Sequence, residues 1–351
     1  MGILDFWNVR EKTTRMKRTF PLMLLFVLII FPLVVRNHYY QHLMILVLMW
    51  VVIGSGWNVI AGYTGQVSFG DAAFFGTGAY TAGLFAHKLG ISAWWAMAFG
   101  GLMAMVVALP FGWICFRLRG AYFALATLAL NEVMRHIATV WESLTDGMVG
   151  ILIMPTFVSK VPYYYIALGL AVLSVGTIRV IMKSKWGYYF VSIREDQDAA
   201  ESLGIDTHFY KMVSLNIAAF LTGMAGALYM NYMGFIDPEV VFSLHDISIM
   251  AILVGIVGGV GTIYGPVVGA FVMVGVHELF RTGFFGFING LASLTGSHVL
   301  DVLAKYVMQA HVLGFGILVV LVILFVPNGI VGDRDKIMDT LFPFRKKGVE
   351  A

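Results

Sequence analysis

KSKWGYYFVSIREDQDAAESLGIDTHFYK, residues 183–211, is a polar island in an otherwise oily chain. Ser192 and Glu195 fit a capping box, S-x-x-E, in which each side chain bonds the other's backbone N–H, so the spacing predicts a helix from Ile193. Gly204 stands where a residue just past a helix C-terminus belongs, because glycine takes the left-handed conformation without steric cost. The predicted helix is Ile193–Leu203. A helix this short is marginal alone in water, since nucleation is costly and few bonds repay it. Its least polar side carries Ile193, Ala199, Ala200 and Leu203, a shallow face suited to another protein's cleft. Apolar segments flank it on both sides, which tethers it to a membrane at both ends. Two readings stay open here: a lever that passes force between a soluble partner and the spans, or an ordinary cytoplasmic loop with an amphipathic turn.

Composition sets the class. The 351 residues are 59% hydrophobic and 12% charged, with a mean hydropathy of +0.84. Soluble domains carry about 25% charged residues. Halving that while keeping long apolar runs means an all-α, multi-span membrane protein. The net charge is only +3 and the basic residues gather at loop ends, a pattern of membrane orientation rather than nucleic-acid binding. A single cysteine, Cys115, excludes an internal disulfide and a thiolate metal site. The 39 glycines exceed the usual share of about 7%, as a closely packed helical bundle would require.

Residues 1–19 are basic, and an apolar segment from Phe20 to Val35 follows, leaving at Arg36-Asn37-His38 without a small-residue cleavage site. It reads as a retained first span. Further apolar segments run over 41–62, 70–87, 92–116, 120–141, 162–182, 208–232, 246–264, 265–282 and 309–327. That makes about ten spans, an even number that places both termini in the cytoplasm. On this count Arg117, Arg119, Lys183, Lys185, Arg194 and the basic tail all fall inside. The domain reading is a cytoplasmic N-terminus (1–19), one transmembrane domain (20–332) with a cytoplasmic loop at 183–207, and a tail (333–351). The region 142–161 reads as an outside loop and 283–308 as an interfacial one.

Two glycine-broken stretches stand out. NVIAGYTGQVSFGDAAFFGTGAYTAG, residues 58–83, has glycines interrupting an apolar run, and Ser68 to Asp71 signals a helix start within or near the membrane. GIVGGVGTIYGPVVG, residues 255–269, repeats G-x-x-x-G. Broken helices expose backbone groups that contact polar cargo, and paired breaks mark a transporter's pathway. The bland alternative is close helix packing. It fits Gly255–Gly269 better, whereas Asn58, Gln66, Ser68 and Asp71 point the first stretch to a pathway. Thr127, Asn131 and Arg135 form a polar stripe at i, i+4, i+8 of another apolar helix, beside Glu132 and His136. A charge in mid-membrane costs about 2.5–3.5 kcal/mol on insertion scales, so such residues pair or function. Glu132 and Arg135 are spaced to pair. His277, Glu278 and Arg281 read as interface anchors, and Asp246 as a helix cap.

The dipeptide Gly-Lys is absent, so the chain has no Walker A loop, and no H-E-x-x-H, C-x-x-C or G-x-S-x-G motif occurs. Neither an enzyme, a cofactor nor a metal site is expected.

Arg194-Glu195-Asp196, then Ala199-Ala200, then Gly204-Ile205 resembles the cytoplasmic coupling loop of ABC importer permeases. In that family an Ala-Ala pair followed by glycine forms the short helix that docks on the ATPase subunit. Arg194, Glu195, Asp196, Ala199, Ala200, Leu203, Gly204 and Ile205 are the residues the resemblance assigns to ATPase coupling. Five stretches together narrow it: residues 58–80, 117–135, the 183–207 loop, 227–270 and FVPNGIVG at 325–332. They are similar to the longer permease of branched-chain amino acid ABC importers, over most of residues 41–332. The resemblance implies a second permease subunit, two ATPase subunits and a periplasmic or lipid-anchored binding protein in a bacterial inner membrane. Its substrates would be leucine, isoleucine, valine or other hydrophobic amino acids, with urea or short amides as the variant within the family. One position departs: Asp146 stands where the family often has glycine, in a loop facing the binding protein. Thr127, Asn131 and Glu132 are further candidates for the substrate pathway. A different class is also open, since the acids Asp71 and Glu132 would suit an ion-coupled carrier working alone. A passive channel is a third reading, disfavoured by the lack of a filter-like sequence.

Overall fold

The computed structural model describes residues 23–90 and 92–279, together with 316, 324 and 329–332. The basic segment 1–19, the interfacial region 283–308 with Arg281, most of segment 309–327 and the tail 333–351 lie outside the described residues.

The described chain is helical: α1 Met23–Val34, α2 His38–Trp57, α3 Asp71–Leu89, α4 Ala93–Cys115, α5 Ala121–Val140, the single turn α6 Glu142–Thr145 and α7 Lys160–Lys183. Then follow α8 Lys185–Glu195, α9 Gln197–Ser202, α10 Thr207–Met233, the short α11 Pro238–Val241, α12 Met250–Gly258 and α13 Gly265–Glu278. A last turn covers Gly329–Gly332. Two two-residue strands, β1 Ile151–Leu152 and β2 Phe235–Ile236, pair antiparallel.

Helix α2 is the centre. Every residue from Val47 to Thr64 is buried, as expected of a helix apolar all round. It runs without interruption into a π-helical turn, Asn58–Tyr63, and packs on α7, α10, α12 and α13. A second layer joins α3, α4 and α10. Their packing is set by small residues. On α4 the stripe Ala96, Gly100, Ala104 and Ala108 is buried, while Trp95, Phe99, Leu102, Val106 and Trp113 on the other side are exposed. That is a helix with one apolar face bare and one small-residue face whose backbone approaches its neighbours closely. A methyl group on Gly78 would lie 2.0 Å from the Gly223 carbonyl oxygen, and one on Gly226 would lie 1.9 Å from that of Phe75. The Gly255–Gly269 stretch packs in the same way, since a methyl on Gly258 or Gly269 would lie 1.9 Å from a backbone oxygen.

Helix α10 fixes the long axis. Its 27 residues span about 40 Å at 1.5 Å per residue. They lead from α9 at one end to β2 at the other. The Tyr39 hydroxyl donates to Glu278, tying the start of α2 to the end of α13.

Five described helices are long and apolar enough to cross a membrane: His38–Tyr63, Trp95–Cys115, Lys160–Lys183, Thr207–Met233 and Pro238–Gly258. Met23–Val34 and Gly265–Glu278 are shorter apolar helices. The chain is thus an all-α multi-pass membrane protein, and the described residues carry fewer full-length spans than the ten expected. One local expectation is corrected. The helix after residue 243 is capped by Ser243, whose hydroxyl accepts from Asp246 N at 3.0 Å and donates to the Asp246 carboxylate at 2.8 Å. Asp246 is the reciprocal partner rather than the cap. The helix start signalled by Ser68 to Asp71 is found, since α3 begins at Asp71; Ser68 accepts from Gly70 N at 3.1 Å, whereas Gly70 at the N-cap position brings no side chain.

Candidate functional site

The polar island folds as two helices, not one. Ser184 accepts from Trp186 N at 3.3 Å and opens α8. Phe190 and Ile193 are buried, and Gly187 lies against Met182, where a methyl group would come within 2.6 Å of backbone. These anchors seat α8 on the bundle. Ser192 does not cap the helix expected over 193–203. Its hydroxyl donates back to the Tyr188 carbonyl at 2.8 Å, a bond that mid-helix serines make. The break comes at Asp196, which adopts an extended backbone (φ −158°, ψ 111°) and accepts from Asp198 N and Ala199 N at 2.9 and 3.0 Å. Asp196 is thus the N-cap of α9. The predicted end is found: Gly204 has φ +83°. Gly204 N donates to Glu201 O at 2.9 Å and Ile205 N to Ala200 O at 3.1 Å, the paired bonds of a Schellman motif.

α9 is held from beneath by a polar knot. Glu201 accepts from Gln197 Nε2 at 2.8 Å and from the Thr207 hydroxyl at 2.6 Å. Lys211, 1% exposed, donates to Gln197 Oε1. The Gln197 and Thr207 hydrogen bonds hold the Glu201 carboxyl below the usual carboxylate range. Sideways, Arg119 in the α4–α5 turn donates to Asp198 at 2.8 Å. Both partners are well exposed, so this pair ties geometry more than it adds stability. Ala200 is buried underneath, and Ile205 is half-buried. Exposed around the α8–α9 joint are Arg194, Glu195, Asp196, Asp198, Ala199, Glu201, Ser202, Gly204 and Leu203, the last 82% exposed. An apolar Ala199–Leu203 pair at i, i+4 faces away from the bundle on a helix of only six residues.

Arg194 points the other way. Its Nη1 donates to the Gly62 carbonyl at 3.1 Å, in the last turn of the π-helical extension of α2. Its Nε and Nη2 donate to Glu195. Gly62 is part of a second junction. Asn58, fully buried, donates to Thr262 O at 2.8 Å and accepts from Gly261 N at 2.8 Å. Both ends of its amide thereby clamp the α12–α13 loop to α2. Gln66 is half-buried, donating to Ile60 O and Thr64 O along the same segment.

The remaining polar residues gather at the buried start of α3. Phe69 N donates to the Thr127 hydroxyl and Ala72 N to the Ser248 hydroxyl, both at 3.0 Å. Three elements thus satisfy the backbone donors that a helix start leaves open. Asp71, 2% exposed, begins the helix, and among the described residues its Oδ2 has no hydrogen-bond partner; nor has Asn131 Oδ1. Asn131 Nδ2 donates to Phe242 O at 2.9 Å. Glu132 does pair with Arg135 at 2.8 Å, and Arg135 also holds Glu239 of α11. Asp71, Thr127 and Asn131 come together around α3, Asn58 and Gln66 lie at the α2 junction, and Glu132 belongs to the ion cluster. Asp146 has φ +59° and closes α6, donating from its N–H to Glu142 O at 3.0 Å. Glycine reaches that conformation freely and aspartate more easily than most residues, so this backbone accommodates either residue.

Sequence reasoning missed the Gln197–Glu201–Thr207–Lys211 knot and the Arg119–Asp198 pair. Signals for the knot were present: Gln197 and Glu201 are spaced i, i+4, and Lys211 is a lone cation opening an apolar helix.

The family described as branched-chain amino acid transport system, permease component, matches residues 39–326. The high-affinity branched-chain amino acid transport system permease protein LivM of Escherichia coli K12 is 29% identical over 67% of this chain. The alignment covers 62% of LivM's own length. LivH of the same organism, a permease protein of the same system, is 23% identical over 81% of this chain and 91% of itself. The autoinducer 2 import system permease protein LsrC of Klebsiella pneumoniae is 26% identical over 62% of each chain. No solved structure matches.

Proposed function

The chain belongs to the family of permease components of branched-chain amino acid transport systems, and from that premise we propose that it is the membrane subunit of an ABC importer. It moves branched-chain or other hydrophobic amino acids inward, powered by separate ATPase subunits that dock on α9. A second permease subunit completes the pathway, as the similarity to both LivM and LivH supports. A binding protein delivers substrate from outside. The setting is a bacterial inner membrane, with α8 and α9 on the cytoplasmic side, where Lys183, Lys185 and Arg194 cluster. Asp71 and Asn131, with their unpartnered oxygens, are the side chains proposed to face the substrate route.

The observation that carries this reading is the construction of α9. A six-residue helix is far too short to persist alone. This one is capped at both ends, knotted beneath by Gln197, Glu201, Thr207 and Lys211, and left bare at Ala199 and Leu203. Such rigidity around a small apolar face suits docking. The test is Ala199→Arg in a complex reconstituted with its ATPase subunits and binding protein. Uptake falls at least tenfold and the ATPase subunits no longer co-purify, while the permease still inserts in the membrane. Unchanged uptake rejects docking through α9.

A further inference from the structure

We propose that Arg194 is a positioning residue, a latch that transmits movement of the α8–α9 segment to the two broken-helix junctions at Gly62 and Gly261. The inference rests on the reading that α9 docks on separate ATPase subunits, and it assigns Arg194 to the inward side of that device instead of the docking face.

Three observations converge on this side chain. First, Nη1 donates to the Gly62 carbonyl at 3.1 Å. Carbonyls in the last turn of a helix lack intrahelical partners and carry the negative end of the macrodipole, so a guanidinium is well matched to them. Second, two glycines make room for it. A methyl group on Gly65 would lie 3.0 Å from Arg194 Cγ, and one on Gly261 would lie 2.9 Å from Nη1. Both have positive φ, +74° and +71°, so glycine serves the turn and the close approach together. Third, Gly261 N is already bonded to Asn58 Oδ1 at 2.8 Å. The guanidinium therefore sits where the end of α2 and the α12–α13 loop are clamped together.

The fork geometry makes the link directional. Nε and Nη2 are held by Glu195, the last residue of α8, leaving Nη1 for Gly62. A planar guanidinium can serve two partners at once, whereas an ammonium acts as a point charge. Asp196, extended and next in sequence, is the joint between α8 and α9. A pull on α9 thus reaches Glu195 and Arg194 before it reaches the buried body of α8, and passes to Gly62. Coupling between sites is reciprocal. The same contact carries the signal from the membrane to the motor.

The test compares Arg194→Gln with Ala199→Arg in the complete complex of permease, ATPase subunits and loaded binding protein. With Arg194→Gln the ATPase subunits stay bound, but uptake and its stimulation of ATP hydrolysis fall at least tenfold. Amide hydrogen exchange rises about tenfold at 60–66 and 259–264 and not in α4. Arg194→Lys, which keeps the charge but loses the planar fork, gives the same pattern at reduced size and serves if Arg194→Gln does not insert in the membrane. Loss of the ATPase subunits with either variant would make Arg194 part of the dock and overturn the latch. So would uptake within twofold of the parent, or lost uptake with unchanged exchange at the two junctions. If Ala199→Arg transports normally, the docking reading fails instead, whatever Arg194→Gln does.

Discussion

Asn58 has the composition of a substrate contact and the bonding of a strut. An amide side chain in an apolar glycine-broken stretch looks available to cargo, yet both its ends are taken by Thr262 O and Gly261 N. The residue type was legible in the sequence; its partners, some 200 positions away, were not. Removing it leaves a buried N–H and a carbonyl unmatched, at about 1–3 kcal/mol for each group. Asn58→Ala is expected to lower stability by about 2 kcal/mol or more, read as the unfolding midpoint in detergent. Asn58→Asp keeps the acceptor for Gly261 N but buries a carboxylate oxygen against the Thr262 carbonyl, so it is expected to cost at least as much. Equal stability of parent and Asn58→Ala would mean that the clamp contributes nothing. Asp146, which stands where the family often has glycine, is a turn residue with φ +59°, a feature its residue type alone did not announce.

Among elements, the long apolar helices were legible almost to the residue. Segments 92–116, 120–141, 162–182 and 208–232 became Ala93–Cys115, Ala121–Val140, Lys160–Lys183 and Thr207–Met233. Hydrophobic length is a strong signal because the bilayer leaves the backbone few alternatives. The polar island was harder, because two capping signals overlap there. Ser192 with Glu195 competes with Asp196, and only the buried Phe190 and Ile193 extend α8 past the serine. Which glycines pack and which merely sit on a surface was equally hidden. Gly78 meets Gly223 across the α3–α10 crossing, whereas a methyl group on Gly169 of α7 would meet no other part of the described residues within 4 Å. Gly78→Ala must push the helices apart, and overpacking costs about 1–3 kcal/mol. Gly169→Ala gains about 0.5–1 kcal/mol of helix preference. Detergent melting of the two variants, expected to shift in opposite directions, checks the pair. A common downward shift would show that the surface of α7 is also tightly packed.

At the scale of the molecule the choice is between a subunit and a self-sufficient carrier. A carrier driven by protons or sodium needs acids free to change partner within the membrane. Glu132 is not free: Arg135 holds it and Glu239 together, at the end of the bundle away from α9. Of the two acids that motivate the carrier reading, that leaves Asp71, buried at the start of α3 with one oxygen unpartnered among the described residues. One such acid, ringed by hydroxyls already engaged with backbone N–H groups, suits a fixed polar contact better than a relay. The other half of the molecule argues for an external motor, since α9 is braced from below and bare outside. The purified chain in liposomes is therefore expected to show no uptake of leucine, isoleucine or valine under an imposed proton or sodium gradient. Addition of the second permease, the ATPase subunits, binding protein and ATP on the α9 side should give uptake that ionophores leave intact. Gradient-driven uptake by the chain alone, abolished by ionophore and by Asp71→Asn, would reverse the assignment. It would make the bare face of α9 a surface with no part in transport.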